Sequence, residues 1–283
     1  MLYKFLFSTV LAGVVAPVLS VALLSPAFAQ SPAPGTNAAG DNLLLDMSQA
    51  FRRGDRRKLT QLLPQAKNHP LEPWAAYWEI KSRLGEASTQ ELQDFLGRYA
   101  GTYQEDRLRN DWLLLLGQRR DWTTFEAEHP QYRMSDDKEV RCYALLLDHL
   151  KATVPDPLAA DEVRKLWHSQ RDADDGCLTA ASRMVGSKTL NVQDVWQKAR
   201  LALEGNRPRA ARDAVAIVSP ESLAMMGEIS DSPAKFLTDK KIALRSTRKE
   251  LVTLALVRLA GTDQAGAESA AAQIGRASRR ERV

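Results

Sequence analysis

The side chains able to move protons or hold metal are few in this sequence, and their spacing does not assemble them. The four histidines are His69, His129, His149 and His168, and no two stand three or four residues apart. A helix therefore cannot present a pair of them to one ion. His69 and His129 each precede a proline, which places them at helix exits as capping or surface residues. There is no glycine-rich phosphate loop and no G-x-S-x-G elbow. Asp136-Asp137 and Asp172, Asp174 and Asp175 are acidic groups in loops; the second lacks the ligand order and closing glutamate of a calcium loop. In "SPESLAMMGEIS", Glu221-Ser222 has a type of pair that matters in enzymes cleaving cell-wall glycans. Here Glu221 reads as the second residue of a helix opened by Ser219-Pro220, where the helix dipole alone favours an acid. The sequence thus offers no catalytic residue, no metal ligand and no cofactor site.

What remains is a problem of packing and location. Residues 1–29, "MLYKFLFSTVLAGVVAPVLSVALLSPAFA", carry one early Lys4, a long apolar run and Ala27-Phe28-Ala29. This is the pattern of a secretory signal peptide cut before Gln30. The alternative is an uncleaved anchor, since the run is long enough to span a bilayer. Membrane contact is expected only through this segment. Residues 30–40, rich in Pro, Gly, Ala and Ser, read as a flexible leader. Export gives the two cysteines, Cys142 and Cys177, an oxidising setting in which they pair; two buried free thiols are the alternative. A bridge closing a loop of that length is worth about 3.5–4 kcal/mol on the chain-entropy model.

The chain has 39 Lys+Arg against 35 Asp+Glu. Lys4 lies in the signal, and Arg276, Arg279, Arg280 and Arg282, with Glu281, lie in the tail "RASRRERV". Without these the acids and bases balance, so a nucleic-acid partner loses its electrostatic support. The cluster "RRGDRRK" (Arg52 to Lys58) reads as a solvated helix-turn surface.

From Asp41 onward the periodicity is helical throughout, so the expected class is all-α. Ser88 with Glu91 forms a capping box, Asp156-Pro157 a cap and first-turn proline, and Asn191 another cap. Three joints share a pattern of helix end, glycine, polar residue and arginine: Gly54, Gly117 and Gly205, with Gly85 a looser fourth. Glycine there would supply the left-handed turn that ends one helix before an antiparallel neighbour begins. The joints fall at irregular intervals, which predicts an α-solenoid of unequal helix pairs. The run "WLLLL" from Trp112 to Leu116, apolar nearly all round, belongs in a helix sandwiched between neighbours, with Trp122 opening the return helix.

"YQEDRLRNDWLLLLGQRRDW", "EHPQYRMSDDKEVRCYALLL" and "DDGCL" together resemble the superhelical region of the soluble, Slt70-like lytic murein transglycosylases. Arg107, Arg109, Asn110, Trp112 and Trp122 are the most specific parts of the likeness, which runs from about Asp41 to Gly275. The resemblance implies a periplasmic α-superhelix that closes into a ring carrying a lysozyme-like domain. It also implies the Cys142–Cys177 bridge. In that family a single glutamate, acting as acid and then base, cuts the bond between N-acetylmuramic acid and N-acetylglucosamine and leaves a 1,6-anhydro ring. The family's Glu-Ser-aromatic signature and later Gly-Leu-Met-Gln run do not occur here, so Glu221 does not inherit the role. The expected organisation is a signal (1–29), a leader (30–40), a truncated superhelical domain (41–275) and an atypical basic tail (276–283), with the catalytic domain absent. The expected partners are peptidoglycan glycan strands and that missing domain. The alternative is a helical-repeat module of the cell envelope that binds a protein or peptide without catalysis.

Overall fold

A computed structural model of the chain describes residues 38–154, 156–239 and 246–280. The expected signal segment, most of the leader and the last three residues of the basic tail lie outside the described residues. Those described form fifteen α-helices and no strand. In chain order they are α1 (Ala38–Arg53), α2 (Arg56–Leu62), α3 (Glu72–Ser82), α4 (Thr89–Arg98), α5 (Tyr103–Arg119), α6 (Trp122–Glu128), α7 (Lys138–Lys151) and α8 (Pro157–Ser169). There follow α9 (Asp175–Gly186), α10 (Val192–Glu204), α11 (Pro208–Val218), α12 (Leu223–Asp231), α13 (Pro233–Asp239), α14 (Ser246–Ala260) and α15 (Gln264–Arg280). Helix α1 begins three residues ahead of Asp41, and α15 runs on into the basic tail.

The helices stack in series. In the first half α1 packs on α3, α3 on α5 and α5 on α7, while α2, α4 and α6 fill in behind them. The apolar interior follows the same order. One cluster, with Met47, Leu59 and Ala75, joins α1 to α3. A second, with Leu108, Leu113 and Tyr143, joins α3 to α7. A third, from Cys142 to Ala255, joins α7 to α14. Alternate faces of α3 and α7 serve two clusters each, and Trp78 and Trp122 bridge from one to the next. A core that is linear in this way is what an array of helix pairs produces. Trp112, Leu113 and Leu116 are buried in the second cluster, while Leu114 and Leu115 are half-buried, so the run is covered on part of its circumference and not all round.

The capping pattern read from the sequence is present. Ser88 and Glu91 form the reciprocal capping box. Asp156 caps α8 ahead of Pro157, and Asn191 caps α10. Asp55, Thr102, Asp121, Asp137 and Asp174 cap five more helices.

The joints are built alike, but glycine carries the left-handed residue in only one of the three main ones. At Gly54 (φ +69°) the Asp55 N–H reaches back to the Ala50 carbonyl at 2.9 Å. The same long bond joins Asp121 to Leu116 (3.0 Å) and Arg207 to Ala202 (2.7 Å). There the left-handed residues are Arg120 (φ 59°) and Asn206 (φ 56°), not Gly117 and Gly205. A fourth joint of this kind, at Lys188 (φ 62°), had no glycine signal at the turning residue. This is the Schellman closure of orphan helix-end carbonyls. A left-handed arginine costs about 1–2 kcal/mol. Arg120 is held there by Asp175 (2.6 Å), by the Gly117 carbonyl (2.6 Å) and over the rings of Trp122 and Tyr143.

Gly117 has a different task. It lies inside α5, and a Cβ there would sit 2.4 Å from the Tyr143 ring. Ordinarily Gly→Ala within a helix stabilises by about 1 kcal/mol. Here overpacking reverses the sign, so Gly117→Ala is expected to lower stability by about 1–3 kcal/mol. Gly97→Ala in α4, where a Cβ meets nothing within 4 Å, is expected to raise it. Urea midpoints of the two variants against the parent chain check both.

Candidate functional site

The side chains singled out in the sequence are mostly committed to holding helices together. On α5, Glu105, Asp106, Arg109, Asn110 and Asp111 are all buried. Arg109 donates to Glu105 at 2.9 Å and to Glu128 of α6. Asp106 accepts the backbone N–H groups of Arg133 (2.9 Å) and Met134 (2.7 Å), which fixes the α6–α7 loop. Asp111 accepts the Tyr77 hydroxyl (2.7 Å) and pairs with Lys81 (2.6 Å), tying α5 to α3. Burial, then the Asp111 charge, pushes the Tyr77 phenol well above its usual range. Buried charges survive only when paired in this way. Arg107 lies exposed, while Trp112 is buried.

Cys142 and Cys177 are joined, linking α7 to α9. Around this bridge Asp175 accepts from Tyr143 (2.6 Å) and Arg120, and Glu139 accepts the N–H groups of Asp175 and Gly176. Asp174 caps α9 through the Cys177 N–H at 2.7 Å. Desolvation pushes the Asp174 carboxyl up to about 6. Nearby Lys198 is 2% exposed and donates to the carbonyls of Trp167 and Gln170, both at 2.6 Å. Asp172 pairs with Arg207 at 2.5 Å, and Asp137 caps α7.

The histidines are dispersed. His69 accepts the Leu71 N–H and meets Asp41 at 3.2 Å. His129 stacks on Phe125, His168 contacts the Asp194 carbonyl, and His149 meets Ser187. Burial lowers the pKa of His129 and of His168. No group of three or more potential metal ligands converges among the described residues.

Glu221 lies in a 3₁₀ turn, Pro220–Ser222, and not in the first turn of an α-helix as its sequence suggests. The Ser219 hydroxyl donates to the Glu221 carboxylate and meets Ser222 Oγ at 2.7 Å instead of capping a backbone N–H. The Ser219 hydrogen bond lowers the Glu221 pKa, and the side chain is exposed. A general acid at neutral pH needs the opposite environment, one that keeps its proton. Arg52 to Arg57 are exposed, as expected, with Arg56 paired to Glu86.

One concavity escaped the sequence reading. A groove of about 400 Å³ lies between α3, α4 and the 3₁₀ turn Leu63–Ala66. Leu63, Ala76, Ile80, Phe95 and Tyr99 give it an apolar floor. Arg83 bridges Glu79 (2.8 Å) and Glu91 (2.7 Å), and Arg98 pairs with Glu72. Lys67 and Asp94 also line it. Burial, then the Glu72 hydrogen bond, raises the Tyr99 phenol to about 12. The helical recurrence of Glu72, Ala76, Glu79, Ile80 and Arg83 was the available signal.

These helix pairs define an α-superhelix, and solved structures similar to it are soluble lytic transglycosylases. No protein-family model matches the chain, and no curated protein matches it. The 70-kDa soluble lytic transglycosylase Slt70 of Escherichia coli superposes with a TM-score of 0.50 at 16% identity, over 82% of this chain and 37% of that one. The 70-kDa soluble lytic transglycosylase in complex with bulgecin A gives 0.49 at 16%, with the same coverage. An inactive mutant of the lytic transglycosylase Slt from Pseudomonas aeruginosa gives 0.45 at 25%, over 81% and 37%. The chain spans little more than a third of the length of these structures. At these identities the likeness establishes the fold.

The Asp174 environment sets a pH dependence. Its folded pKa is raised, so its contribution is complete below the ordinary aspartate value and is lost as pH rises through about 6. Asp174→Asn keeps the cap and removes the charge. The variant is expected to exceed the parent by about 2–3 kcal/mol at pH 7.5 and to converge with it below pH 4. Paired urea titrations across that range measure the difference.

Proposed function

We propose that this chain is the periplasmic superhelical scaffold region of a peptidoglycan lytic transglycosylase: it holds a glycan strand and supports a lysozyme-like catalytic domain that the chain itself lacks. The observation that carries this reading is an α-superhelix of the Slt70 kind bearing an internal disulfide, in a chain whose first residues read as a secretory signal. The bridge suits an oxidising compartment such as the periplasm. No described helix is long and apolar enough to cross a membrane. Neutral charge balance in the body of the chain suits a sugar polymer better than a polyanion. The buried acids of α5 and the acids at the head of α9 serve as helix ties and caps, and Glu221 has a lowered pKa. The chain is therefore assigned binding and support, with no bond cleavage of its own.

A second reading draws on the α3–α4 groove. Its apolar floor and paired charges are also the lining of a peptide-binding cleft, as in a helical-repeat module of the envelope.

Incubation of the purified chain with murein sacculi tests the assignment. The chain is expected to co-sediment with sacculi and to release no 1,6-anhydro-muropeptides by mass spectrometry. Failure to sediment would remove the scaffold reading. Release of anhydro products that Glu221→Gln abolished would restore a catalytic role to that glutamate.

A further inference from the structure

A row of aromatic rings crosses three successive helices. Phe51 of α1, Trp78 and Trp74 of α3, and Tyr103 of α5 follow one another with centroids 6.4, 5.9 and 5.7 Å apart. On its inner side the row packs against the first two core clusters, and its outer side is partly open. Phe51, Trp74 and Trp78 are half-buried, and Tyr103 is 54% exposed. Rings of this size reward burial strongly, so a contiguous line of them left partly open gains further from being covered.

Polar groups flank the row at helical spacing. Trp74, Tyr77, Trp78 and Lys81 share one face of α3, and Tyr103 and Arg107 lie one turn apart on α5. The Tyr77 hydroxyl and Lys81 Nζ are both anchored by buried Asp111. Arg107 lies exposed beside the phenols of Tyr77 and Tyr103. Asp111 offsets one of the two cations, so the face carries a single surplus positive charge.

We propose that this row seats a glycan chain. A pyranose ring lays its C–H face on an aromatic ring and turns its hydroxyl edge to flanking donors, a part open here to Lys81 and Arg107. A single surplus cation suits a chain that is mostly neutral but carries a carboxylate at intervals, as N-acetylmuramic acid does where its stem peptide has been removed. It does not suit a dense polyanion. The inference rests on the scaffold reading above and names the residues that would carry it. Trp74, Trp78 and Tyr103 stack, and Arg107 takes the carboxylate.

Calorimetric titration of the full chain with two probes tests it. One is peptide-free murein glycan; the other is the neutral β-1,4-linked N-acetylglucosamine hexamer. Tyr103→Ala is expected to weaken both by about tenfold, the loss of roughly one stacking contact. Arg107→Gln is expected to weaken only the murein glycan, by about fivefold. Both positions are exposed, so thermal melts of the variants should match the parent. If the parent binds glycan and both variants bind as tightly, the row is not the seat and the scaffold reading stands. If the parent binds neither probe nor sacculi, both readings fall. Preferential binding of a proline-rich peptide, lost in Tyr103→Ala, would reassign the row to a protein partner.

Discussion

The close approach of α5 to α7 places everything that follows it. The Tyr143 ring lies where a side chain at position 117 would be, and its hydroxyl reaches past α5 to Asp175 at the head of α9. Arg120 turns the chain left-handed at the end of α5 and grips the same carboxylate. Three helices from two core clusters thus meet at one contact. The disulfide locks α7 to α9 on the neighbouring turn. The second and third core clusters adjoin at this joint, so its geometry helps to set the direction of the stack. Burial then raises the Tyr143 phenol well above its usual range, which keeps the hydroxyl a donor to Asp175.

Much of this was legible in the residues. The helical class followed from periodicity, and the Ser88, Asp156 and Asn191 caps followed from short local motifs. The cysteine pair followed from export logic. Local motifs read well because their partners lie within a turn or two of the chain. The joints were half-legible. A glycine was expected at each left-handed position, yet Arg120 and Asn206 take two of them. Tertiary contacts outweigh the local cost at Arg120, and the glycine that caught the eye at 117 answers to a ring on another helix. No spacing rule within one segment could reveal that.

The chemistry-bearing side chains show the same division. Asp174 and Asp175 looked like loop acids and prove to be a cap and an ion-pair partner. The acids of α5 carried no signal of burial in the sequence and are buried, because Arg109 on the same helix and Tyr77, Lys81 and two backbone N–H groups from other elements reach them. The aromatic row was visible only in part. Trp74 and Trp78 share a helix face in sequence, but Phe51 and Tyr103 join them only when α1 and α5 are laid on either side.

The disulfide also has a mechanical side. Its two ends are 35 residues apart, in the middle of a stack whose contacts run mainly between neighbours. A chain drawn out from its two termini under load would lose its helices one after another, yet the loop between the sulfurs would stay coiled. At about 3.3–3.6 Å per extended residue, roughly 120 Å of contour would stay withheld until a reductant cut the bridge. A chain held under tension at both ends would in this way keep a slack reserve that only a change in thiol chemistry could release.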